Sequence, residues 1–79
     1  MRQWYVVGME PKEGDFYVYV FGPFITETDA RAYAIDLGTE EEGFLHLDAK
    51  QLTHEEAGSL ATEQVLWPYN SEPFHKEGD

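Results

Sequence analysis

The residues of this chain best suited to chemistry are its carboxylates: sixteen Asp and Glu stand against five Lys and Arg in 79 positions, a formal charge of -11. Asp36, Glu40, Glu41, Glu42 and Asp48 fall between Ala32 and Ala49 with no Lys or Arg among them. Such a run suits three kinds of chemistry. Calcium binding needs the Asp-x-Asp-x-Asp-Gly spacing with a distal glutamate, which is absent. Acid–base catalysis needs two carboxylates pushed to different pKa values, and scattered acids do not single out such a pair. What remains is recognition, in which an array of carboxylates imitates the phosphate spacing of nucleic acid and occupies the basic groove of a nucleic-acid-binding protein. The plain alternative for residues 40–42 is a solvated loop.

Other chemistries have less to stand on. His46 and Asp48 lie at i and i+2, on one face of a strand, and would give a metal two ligands. No third ligand follows at a suitable spacing, and His54 and His75 belong to other segments, so an exposed strand face is the simpler account. Ser59 and Ser71 lack a nucleophile elbow, and there is no glycine-rich phosphate loop. Cysteine is absent, which removes thiolate catalysis and disulfide staples and fits a reducing compartment. The expectation is a protein that is not an enzyme and carries no metal and no cofactor.

The charge also sorts partners. It repels nucleic acid and anionic membrane surfaces and speeds encounter with a basic protein surface. A hydrophobic content of 42%, with 15% aromatic, is too high for a disordered acidic tail, so the charge decorates a folded body. The length allows one small domain, taken as residues 1–69, with a polar, flexible tail at 70–79. No signal segment and no apolar run of about 18 residues is apparent, which points to the cytoplasm.

The elements that must position these groups follow from local pattern. Residues 4–7 and 16–21 are rich in aromatic and β-branched types and read as a hairpin, with 9–15 as a loop of moderate length. Gly22-Pro23 ends the ladder, because proline lacks the donor. Thr26 then caps a helix over 27–37, with Asp29 completing an acidic capping box and Ile25 stapling onto Ala30. Ala30, Tyr33, Ala34 and Leu37 form its inner stripe, and Gly38 is its left-handed stop. Residues 44–48 read as a third strand with Leu45 and Leu47 facing in. Leu52-Thr53-His54-Glu55-Glu56-Ala57 repeats the grammar of the first helix start and opens a shorter helix, with Ala57, Leu60 and Ala61 inward. Residues 63–67 read as a fourth strand ended by Pro68. The expected fold is a small α+β domain in ββαβαβ order, its antiparallel sheet carrying one main helix and one short helix.

The hairpin is apolar on both faces. Phe16, Val18 and Val20 alternate with Tyr17, Tyr19 and Phe21, and Trp4 and Val6 alternate with Tyr5 and Val7. If both helices share one face, the other must be covered by Pro68, Tyr69 and Phe74 folding back, by a second copy, or by a partner. Tyr17, Tyr19 and Phe21 are therefore expected partner contacts beside the acidic run.

The stretch from Tyr17-Val18-Tyr19-Val20-Phe21-Gly22-Pro23-Phe24 through Ile25-Thr26-Glu27-Thr28-Asp29-Ala30-Arg31-Ala32-Tyr33-Ala34 resembles a strand, Gly-Pro-Phe turn and alanine-rich helix found in two groups of small proteins. One is a set of short phage and actinobacterial proteins that open on a Trp-Tyr-Val-Val strand, here Trp4-Tyr5-Val6-Val7; this resemblance implies no activity. The other is the sporulation-related repeat domain, and similarity to it implies binding of peptidoglycan glycan strands. That domain has a duplicated β-α-β order, whereas here a hairpin precedes the first helix. The expectation taken forward is a non-catalytic module for a protein partner with a basic surface, in concrete form a phage-type inhibitor or modulator of a host nucleic-acid-binding protein. Glycan binding and a homodimer are the alternatives.

Overall fold

The computed structural model describes residues 1–40, 43–62 and 65–66. Its elements are β1 (Gln3–Lys12), β2 (Asp15–Phe24), α1 (Glu27–Glu40), β3 (Leu45–Leu52) and α2 (His54–Leu60). The three strands form an antiparallel sheet in the order β2-β1-β3. The small α+β class holds, with three strands and two helices among the described residues. Of the expected fourth strand, the described part makes one parallel bridge, Leu66 to Phe21. Positions 63, 64 and 67, the expected tail at 70–79, and Pro68, Tyr69 and Phe74 lie outside the described residues.

The hairpin is longer and its turn tighter than the composition implied. Pro11 pairs with Phe16 and Lys12 with Asp15, so only Glu13 and Gly14 remain between the strands. Both have positive φ, 48° and 89°, the requirement of a type I′ turn, whose twist matches that of the strands. Pro11 lies beyond the last β3 partner, Met9, where only β2 flanks β1 and a missing donor is tolerated.

Gly22-Pro23 does not end the ladder. The register passes from Val6↔Phe21 to Trp4↔Phe24, so β2 carries one extra residue and resumes pairing. Gly22, at φ 144°, sits in this bulge, and a Cβ there would meet Tyr5 Cδ2 at 2.9 Å and the Trp4 carbonyl at 3.2 Å. The outer edge of β2 is closed by the segment after α2. Thr62 N–H donates to Val18 O at 2.8 Å, Leu66 N–H to Val20 O at 2.7 Å, and Gly22 N–H to Leu66 O at 2.9 Å.

Each sheet face has its own helix, which corrects the expectation that both share one side. On one face Val6, Phe21, Phe24 and Ala30 are buried, with Tyr33, Ala34 and Leu37 of α1 packed against them. On the other, Tyr5, Val7 and Val20 are buried with Ala57 and Ala61. The hairpin is apolar on both sides because both sides are core. Tyr5 is fully buried, its hydroxyl has no hydrogen-bond partner among the described residues, and burial pushes its pKa up.

α1 runs through Gly38 to Glu40, so this glycine is not a stop. It is a point of close approach, where a Cβ would sit 3.3 Å from Leu47 Cδ1. In β3 the pairing jumps from Val7↔Asp48 to Met9↔Leu45, and His46 takes φ 57° in the resulting bulge. The extra residue puts Leu47 with the α1-side core and Leu45 on the Met9 side, where it is 43% exposed, against the expectation that both face in. Leu60, expected inward, is likewise 44% exposed, because the seven-residue α2 buries only Ala57 before the chain leaves at Ala61. No helix among the described residues is long and apolar enough to cross a membrane.

Candidate protein-binding surface

The expected site residues separate into three places. Asp36 and Glu40 are exposed on α1, and Glu41 and Glu42 lie outside the described residues. Asp48 sits between Leu47 and Ala49, both packed toward α1, so strand alternation turns it to the opposite face. There its Oδ1 accepts the Ala49 N–H at 2.9 Å. The bulge at His46 also breaks the i, i+2 alignment with Asp48, and no group of three potential metal ligands occurs among the described residues.

The aromatic contacts are mostly spent inside the protein. Phe21 is 7% exposed and packs on Tyr33 at 5.5 Å and Phe44 at 6.0 Å between ring centroids, so most of its surface is spent in the α1-side core. Tyr19 meets Phe44 edge-on at 5.3 Å. With Glu10, Phe21, Leu37, Phe44 and Leu66 it lines a shallow groove of about 290 Å³. That groove has its own cation nearby: Lys12 Nζ is 3.6 Å from Glu10 Oε1 and 5.6 Å from the Tyr17 ring centroid. Tyr19 and then Glu10 hold the Lys12 ammonium above its ordinary pKa, while desolvation and then a hydrogen bond with Glu10 push the Tyr19 phenol up. A lysine thus stands beside both Tyr17 and Tyr19.

A second groove, of about 280 Å³, is lined by Pro23 and Phe24 at the end of β2, by Ile25 just beyond it, and by Asp29, Ala32, Tyr33 and Asp36 from α1. It arises from helical spacing. Ala30, Tyr33, Ala34 and Leu37 point at the sheet, so Asp29, Ala32 and Asp36 fall along the flank of the buried stripe. Phe24 and Tyr33, 5.4 Å apart, give it an aromatic wall. Ile25 is 91% exposed at its mouth, where the expected staple onto Ala30 does not form.

Among the described residues, three cations are held in surface ion pairs, Arg2 with Glu56, Lys12 with Glu10 and Arg31 with Glu27. None of the three involves Asp29, Asp36 or Glu40. Asp36 was legible as a candidate in the acidic run. Asp29 was hidden by its place in the first helical turn, where the helix dipole already explains an acid, and Ile25 by its apparent role as a staple. Comparisons with protein families, with curated proteins and with solved structures find no match to this chain.

Proposed function

We propose that this protein is a non-catalytic binding module for a protein partner with a basic, nucleic-acid-binding surface, and that it meets that partner through the outer flank of α1. The observation that carries this reading is the row of Asp29, Asp36 and Glu40 on α1, none of them in an ion pair among the described residues, with Asp29 and Asp36 lining the groove. The tyrosine side of the hairpin is a poorer contact, since Lys12 stands over it. Carboxylates steer approach over roughly a Debye length, about 10 Å at 0.1 M salt, and apolar contact in the groove then slows release. Such a module competes with nucleic acid for the basic surface, because both present closely spaced negative charge.

The test is binding to a lysine-rich linker histone, used as a generic basic surface, at low and moderate ionic strength and against duplex DNA as competitor. The expected result is affinity that falls with salt and displacement of the DNA. Salt-insensitive binding, or no binding at low salt, overturns the proposal.

A further inference from the structure

The groove between the end of β2 and α1 has a definite shape and charge, and these select a ligand. Asp29 and Asp36 are seven residues apart on α1, about 10 Å along the axis at 1.5 Å per residue. Between them lie Ala32 and the half-buried Tyr33, with Phe24, Pro23 and the exposed Ile25 opposite. The arrangement is an apolar, aromatic-walled trough with a carboxylate at each end. The helix's arginine, Arg31, is occupied by Glu27 at 2.7 Å.

An extended ligand that fits must carry two cations about 10 Å apart on one face and apolar groups between them. A polyproline II segment returns to the same face every third residue and rises about 3.1 Å per residue, which puts the first and fourth side chains about 9 Å apart. Such segments dock readily on aromatic-lined grooves because they are stiff before binding. Long Arg or Lys stems also lay methylene groups on apolar surface while the charged head reaches out.

We infer that this groove binds a proline-containing, extended segment of the basic partner, with two Arg or Lys residues three positions apart set on Asp29 and Asp36 and the residues between them packed on Tyr33, Phe24 and Ile25. The inference rests on the proposed function and gives that surface a sequence preference. A second copy of the chain is disfavoured as the occupant, since like charge repels.

The experiment is a titration of the isotopically labelled full chain with three capped peptides, Arg-Pro-Leu-Arg, Arg-Ser-Ser-Arg and Glu-Pro-Leu-Glu, followed by backbone amide shifts. The inference predicts shifts centred on Ile25, Asp29, Ala32, Tyr33 and Asp36 with Arg-Pro-Leu-Arg, weaker ones at the same sites with Arg-Ser-Ser-Arg, and none with Glu-Pro-Leu-Glu. Ile25→Ser, a change at an exposed position, should weaken the first peptide several-fold and leave the second unchanged. Equal shifts from both arginine peptides, or shifts centred on Glu13, Asp15 or Glu55, overturn it. Histone binding that persists after such a result rejects the groove and retains the electrostatic module; loss of both rejects the module itself.

Discussion

The two helix starts share one sequence grammar and reach different structures. At α2, Thr53 Oγ1 accepts the Glu56 N–H at 3.0 Å and Glu56 Oε1 accepts the Thr53 N–H at 2.9 Å, a complete capping box. At α1, Thr26 Oγ1 accepts the Asp29 N–H at 3.1 Å, and no return bond from the Asp29 carboxylate forms among the described residues. Aspartate is one methylene shorter than glutamate. The preceding apolar residues diverge as well, since Leu52 packs into the α2-side core while Ile25 stands 91% exposed. Glu56 is further held by Arg2 Nη1 at 2.6 Å. The same local code therefore produces a closed start, whose groups serve stability, and an open one that leaves an acid and an isoleucine exposed.

The difference can be broken most strongly at the residue before each cap. Leu52→Ser should destabilise by about 1–3 kcal/mol, because it removes part-buried apolar surface, whereas Ile25→Ser should stay within about 0.5 kcal/mol, as checked by urea unfolding. A comparable loss at both positions would mean that Ile25 is packed in solution. Next come the caps: Thr53→Ala should cost about 1–2 kcal/mol and Thr26→Ala about 0.5–1 kcal/mol, since only the first dismantles a reciprocal pair.

A smaller effect at the closed start is read by pH. The Thr53 N–H first, and Arg2 second, hold the Glu56 carboxyl below its usual range. A depressed folded-state pKa stabilises the fold above the unfolded value, about 4.3, and that contribution disappears as pH falls through the folded value. The stability gap between wild type and Glu56→Gln should thus be full at neutral pH and close below about pH 4. A gap that persists at lower pH would point to packing in place of charge. The smallest change completes the comparison: Asp29→Glu should gain a few tenths of a kcal/mol in thermal unfolding by closing the α1 box.

Much of this fold was legible because local rules and tertiary structure agree. The inner stripe Ala30, Tyr33, Ala34 and Leu37 faces the sheet as the helical period demands, and both threonines cap where expected. What escaped depends on partners distant in sequence. Gly38 reads as a stop until Leu47 is known to lie against it, and Gly22-Pro23 reads as a break until Trp4 is known to resume pairing beyond it. The two-residue turn was masked by Pro11, which looks like loop until β3 is seen to end short of it. The candidate surface was half visible. The acidic run pointed to Asp36, but only the fold brings Asp29, Ile25 and Tyr33 beside it and turns Asp48 away.

The central claim is that the position of charge on α1, and not its total, carries binding. Two double variants test it directly, since each removes two negative charges: Asp29→Asn with Asp36→Asn on the α1 flank, and Glu13→Gln with Asp15→Asn at the hairpin turn. Affinity for the linker histone, measured at fixed low ionic strength, should fall about tenfold for the α1 pair and about twofold or less for the hairpin pair. Equal losses in the two variants would contradict the claim.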